Sequence, residues 1–142
     1  MVWWRQTPNC MWEDGKMHPR LVGGFDKKWG ATLDGETVIR RSAIGVTKDG
    51  RGLLVGISNH TTAPAIALGM QHAGAVTVAQ LDVNFSYPKF VTYEKSPEHD
   101  RRIAIALASG FEFSEDEFIR KKSYRDFFYV MPKDLEQATA QN

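Results

Sequence analysis

The sequence predicts an α+β domain: a mostly antiparallel or mixed β-sheet with helices packed on it. Three observations carry that expectation. Residues 37–47 are rich in β-branched and small side chains, Asp49-Gly50 follows, and an apolar run returns over 53–58. Residues 62–73 repeat apolar side chains at helical spacing. Residues 75–81 are apolar on both prospective faces.

The first thirty residues contain all four tryptophans, interspersed with Gly, Pro and charged side chains. No single period emerges there, which predicts short strands and turns. From residue 37 the pattern sharpens. Asp-Gly suits a tight hairpin turn because Gly tolerates positive φ, so 37–47 and 53–58 read as paired strands. Asn59, His60, Thr61 and Thr62 then offer side chains that can accept the free N–H groups of a helix start. Pro64 fits a first turn, where a missing donor is tolerated. Ala63, Ile66, Ala67, Met70 and Ala73 follow at helical spacing, and Gly74 supplies the stop. The small residues on that face predict close packing on a sheet.

Because 75–81 is apolar on both faces, it reads as a central strand, ending at Asp82, Asn84 and Ser86. Tyr87-Pro88-Lys89-Phe90 interrupts regular structure, and 90–93 reads as a short extended piece. Residues 96–102 are polar and read as a loop, 111–122 as containing a short helix, and 126–130 as a last strand. The expected organisation is one domain over 1–132 and a polar tail over 133–142.

A chain of 142 residues with 42% apolar and 25% charged side chains is long enough to bury a core and is globular in composition. Its formal net charge of +1, with Lys and Arg scattered among acids, argues against nucleic acid as a partner. The short cluster Arg120-Lys121-Lys122 follows Glu115-Asp116-Glu117 and reads as a solvated helix end with its own counter-charges. Cys10 alone excludes an internal disulfide and a thiolate-built zinc site. It reads first as a buried apolar residue, with a free thiol or an intermolecular bridge as alternatives. No run of about 18 apolar residues exists to span a membrane. Met1 to Gln6 lacks the apolar core of a signal peptide.

His18, His60, His72 and His99 show no metal-ligand spacing. Gly23-Gly24 is followed by no P-loop Lys-Ser/Thr pair, and no Gly-x-Ser-x-Gly elbow occurs. The sequence therefore calls for no metal and no cofactor. Two places remain that could carry chemistry. Asp82 closes an otherwise apolar strand, and strand ends are where rigid scaffolds hold catalytic groups. The competing reading is a turn cap bonded to nearby backbone N–H groups. Arg40 and Arg41 interrupt an apolar strand and must face opposite sides, so one can be exposed while the other needs an acidic partner or an anion. A structural salt bridge to Asp82 or another carboxylate would serve as well as a ligand.

These motifs fall in a recognisable order: Arg41-Ser42-Ala43-Ile44-Gly45-Val46, the Asp49-Gly50 hairpin, a Thr-led helix ending at Ala73-Gly74-Ala75, then Leu81-Asp82. That order resembles the phosphodiester glycosidase family, from about Arg5 to Val130 and best over Arg41 to Tyr93. The resemblance implies an α+β fold and hydrolysis of a sugar-1-phosphodiester or related glycan. It implies Arg41 and Asp82 as catalytic residues. Ser42, Asn84, Ser86, Asn59, His60 and Asp126 are then candidates to bind a carbohydrate or glycosyl phosphate ligand. Asp126 is also the nominee for a second carboxylate. Val83-Asn84 replaces the family's Gly-Gly after the Asp and resembles a bacterial Leu-Asp-x-Asn branch. The Gly23-Gly24-Phe25 segment lies closer to Arg41 than the family's Asn-Gly-Gly-Phe segment does. The resemblance thus implies a chain that begins inside the fold, in a longer exported protein. A carbohydrate- or envelope-polymer-binding domain without turnover is the alternative expectation.

Overall fold

The computed structural model describes residues 10–23, 27–124 and 127–131. The architecture is α+β with antiparallel pairing throughout its main sheet. Strands β1 (Cys10–Glu13) and β2 (Lys16–Met17) are followed by helix α1 (Pro19–Val22) and a 3-10 turn at Lys27–Trp29. Strands β3 (Ile39–Thr47) and β4 (Leu53–Thr61), helix α2 (Ala63–His72) and strand β5 (Ala75–Val83) follow. The five strands order as β2-β1-β5-β3-β4, which puts β5 in the middle, as its two apolar faces predict. Strands β6 (Val91–Lys95) and β7 (Arg102–Ala106) make a separate two-stranded sheet.

The β3–β4 hairpin closes through Asp49, which accepts from the Thr47 hydroxyl at 2.6 Å and the Arg51 amide at 3.1 Å. Gly50 there has φ +67°, the conformation that favours Gly at this position. Helix α2 begins as its sequence indicates, the Thr62 hydroxyl accepting from the Ala65 amide at 3.3 Å with proline in the first turn. It packs on the sheet through Ala63, Ile66, Ala67 and Met70, which join Met11, Leu21, Trp29, Ala43, Ala75 and Val78 in the core. Close approach depends on two strand glycines. A Cβ on Gly45 would stand 2.8 Å from the Ala75 Cβ, and one on Gly56 would stand 2.6 Å from the Met70 Sδ.

The chain divides into two compact units, one of residues 1–92 with 105–113 and one of 93–104 with 114–142. In the second, Arg101 pairs with Glu115 and Asp116 at 3.0 Å each, and Lys121 lies 3.6 Å from the buried Glu117. The short helix expected within 111–122 is not formed. That stretch is a series of turns around Glu117, whose carboxylate accepts from the Ser114 amide at 3.2 Å. The last strand expected over 126–130 is also absent at 127–130, which carry no strand pairing. Asp126 and the tail over 133–142 lie outside the described residues. Among the described residues no helix is long and apolar enough to cross a membrane.

Candidate functional site at the end of the sheet

Arg41 sits mid-sheet with both neighbouring strands out of step around it. On one side Arg41 pairs with Val83 but Ala43 pairs with Gln80, so Leu81 and Asp82 together oppose Ser42. On the other, Ile39 pairs with Thr61 but Arg41 pairs with Ser58, so Asn59 and His60 together oppose Arg40. An extra residue in one strand of a pair bends that strand and re-aims its side chains. Three of the residues singled out in the sequence, Asp82, Asn59 and His60, therefore occupy these two irregularities at one end of the sheet.

Arg41 is 1% exposed, and among the described residues no carboxylate meets its guanidinium. Its Nε donates to the Thr61 carbonyl at 3.1 Å. One Nη donates to the Trp29 carbonyl and lies 3.5 Å from the Gln80 Oε1, while the other donates to the carbonyls of Gly30 and Thr37 at 2.9 Å each. A guanidinium has five N–H donors, and protein acceptors stand against all five. The ion pair with Asp82, which the sequence offers as the alternative to an anionic ligand, is not made. Arg41 instead ties the ends of β4 and of the 29–37 segment to β3. Burial holds its pKa below the ordinary arginine value, since desolvation disfavours the charged form.

Arg40 turns to the other side and is buried too, at 7% exposure, so the expectation that one of the pair is solvated fails. Its guanidinium lies between the rings of Phe85 and Phe111, 4.4 and 4.3 Å from their centroids. It donates to the Phe85 carbonyl and, at 2.7 Å, to the Gly110 carbonyl. Hydrophobic periodicity could not reveal this, because the aromatic partners lie 45 and 71 residues further along the chain.

Asp82 is exposed, so it does not bear the burial cost that a carboxylate closing an apolar strand suggests. Its main chain is anchored: the buried Ser42 hydroxyl donates to the Asp82 carbonyl at 2.7 Å. Asn84 and Ser86 do not continue the strand on its face. The Asn84 Oδ1 accepts from the amides of Ser86 and Tyr87 at 2.9 and 2.7 Å, folding the chain into a side-chain-capped turn directly after β5. Ser86 is left exposed on that turn. Asn59 donates from Nδ2 to the Ser109 carbonyl at 3.3 Å, and His60 is exposed.

Among the described residues no group of three or more His, Cys, Asp or Glu side chains is arranged to hold a metal ion. A cavity of about 350 Å³ opens elsewhere, lined by Cys10, Glu13, Lys16, Met17, His18 and Pro19. Cys10 is half-buried there rather than in the core, and burial followed by the nearby Glu13 carboxylate pushes its thiol pKa up. Comparison with protein-family models, with curated proteins and with solved structures finds no match.

Proposed function

We propose that this chain is a phosphodiester glycosidase-like hydrolase acting on a sugar-1-phosphodiester or related glycan, with Asp82 as its general acid/base. The observation that carries this reading is the setting of Asp82: an exposed carboxylate on a strand whose adjacent carbonyl is pinned by Ser42. A reacting group is best held on a rigid element, with its supports buried and its functional atoms accessible. An acid in that position can protonate the glycosidic oxygen as the bond to the anomeric carbon breaks, and then take a proton from the attacking water. Glycosidases of this kind generally pair two carboxylates; Asp126, the second carboxylate nominated from the sequence, lies outside the described residues. Ser86, Asn59 and His60 are exposed around the same strand end and suit contacts to sugar hydroxyls. In this reading Arg41 acts through the main chain, holding the strands that carry the site. The same reading places the protein outside the cytoplasm.

A second reading is a carbohydrate-binding domain without turnover. The aromatic side chains Phe85 and Tyr87, 67% and 42% exposed beside Asp82, favour it, because a sugar ring can rest on such faces. A chromogenic sugar-1-phosphodiester separates the two. The hydrolase reading expects turnover by the wild type and its loss in Asp82→Asn with the fold intact. Turnover unaffected by Asp82→Asn removes Asp82 from the chemistry. An inert wild type that still binds the glycan establishes the binding domain.

A further inference from the structure

Arg40 poses a problem of charge. It is buried, carries a full positive charge, and has no acidic partner among the described residues. Moving such an ion out of water is costly unless the surroundings compensate. Two carbonyls and two ring faces compensate in part, the rings through desolvated cation–π contact. They do not neutralise it. Moreover, the Arg40 Nε–H is fully buried and has no hydrogen-bond partner among the described residues. Orphaned buried donors are rare, and each calls for a cause.

The geometry points to an oxyanion site at Arg40, occupied by the phosphoryl group of the ligand. This rests on the phosphodiester reading of the strand end and moves the anion contact from Arg41 to Arg40. Arg41 has no donor left to offer. Arg40 has used one donor on each Nη, so three N–H donors remain, the Nε–H among them. Such donors match the oxygens of a phosphate. The ring of Phe111 and the carbonyls of Phe85 and Gly110 fix the guanidinium plane, so these donors are oriented before the ligand arrives. Phe85, which covers one face of this guanidinium, is largely exposed on the turn that Asn84 caps, so it is the side chain whose movement would open Arg40. Asn59 faces Arg40 across the strand pair and has its Nδ2 against the same 109–110 segment. It is placed to contact a group entering there. Ligand binding therefore requires the Phe85 ring to swing aside while the Asn84 cap keeps the turn, leaving Phe111 and the two carbonyls to hold the guanidinium.

The Arg40 Nε–H signal in a proton–nitrogen spectrum of the whole protein tests this, identified by through-bond correlation to the Arg40 side-chain carbons. Inorganic phosphate is the first probe and a sugar-1-phosphodiester the second. The expected result is a saturable shift of that signal, slower exchange of its proton with water, and at least tenfold weaker binding in Arg40→Lys. The sugar phosphodiester should shift the same signal at lower concentration than phosphate; equal potency would mark a site for free phosphate. Saturating both probes with the Nε–H unmoved overturns the site, and needs no variant that folds. Phosphate binding at Arg40 without turnover keeps the site and removes the hydrolase. Turnover with Arg40 unmoved removes the site alone.

Discussion

The hydroxyl of Ser42 donates to the main-chain carbonyl of Asp82 at 2.7 Å, at the level where β5 carries one residue more than β3. A bulge leaves a backbone group without its ladder partner, and here a side chain from the facing strand satisfies it. The acid and its support thus come from two strands forty residues apart in sequence.

Ser42→Ala is expected to cost about 1 kcal/mol, the loss of a half-buried hydrogen bond made by a buried hydroxyl. Urea denaturation measures it. If Asp82 has its proposed role, the variant should also lose turnover beyond what its unfolded fraction explains. A variant as stable as wild type would show that the carbonyl finds another donor.

Arg41→Met should be far more damaging. Several carbonyls would lose their donor at once, at about 1–3 kcal/mol for each acceptor left buried and unpaired, so a loss of at least about 3 kcal/mol is expected. Arg41→Lys should recover only part of it, because an ammonium cannot reproduce the planar fork. A denaturation midpoint unchanged in Arg41→Met would contradict a clamping role.

The two glycines beneath α2 should respond unequally. A Cβ on Gly45 meets the Ala75 Cβ and, at 2.9 Å, the Thr77 carbonyl, so Gly45→Ala should destabilise by about 1–3 kcal/mol through overpacking. Gly56→Ala presses instead on the thioether of Met70, which can move, and should cost less. Thermal unfolding of both variants gives the order, and the reverse order would mean that the helix is seated differently.

Asp49 links the hairpin to pH. Its hydrogen bonds from the Thr47 hydroxyl, foremost, and from the Arg51 amide lower its carboxyl pKa in the folded chain. The contribution to stability is therefore present above the unfolded value of about 3.9 and is lost as pH falls through the lower folded value. Carbon NMR of the Asp49 carboxyl should show the depressed midpoint, and Thr47→Val should raise it. An identical midpoint in both proteins would assign the shift to another cause.

Local chemistry made much of the main sheet legible. Asp49-Gly50 marked the hairpin, Thr62 and Gly74 bracketed the helix, and the two apolar faces of 75–81 put β5 at the centre. What failed depended on distant partners. The expected helix within 111–122 yields to turns because Glu117 is buried and turned back on Ser114, while Arg101 draws Glu115 and Asp116 to itself. Strand β7 lay unread between a polar loop and that expected helix. Alternation correctly sent Arg40 and Arg41 to opposite sides. It could not tell that both would be buried, since their acceptors are carbonyls and rings supplied by residues 29–37, 61, 85 and 110–111.

The surplus residues that flank Arg41 also constrain how this strand end can evolve. Strands β4 and β5 each already absorb one extra residue there, so a change of length in either falls on a place built to take up slack. Strand β3 has no such allowance. Deleting one residue between Arg40 and Gly45 would either carry Arg40 into the carbonyl cage or draw Gly45 out from under Met70, and in both cases send neighbouring side chains to the wrong faces. Variation in related chains should therefore accumulate as insertions beside Asn59 and Asp82, while the span from Arg40 to Gly45 keeps its length.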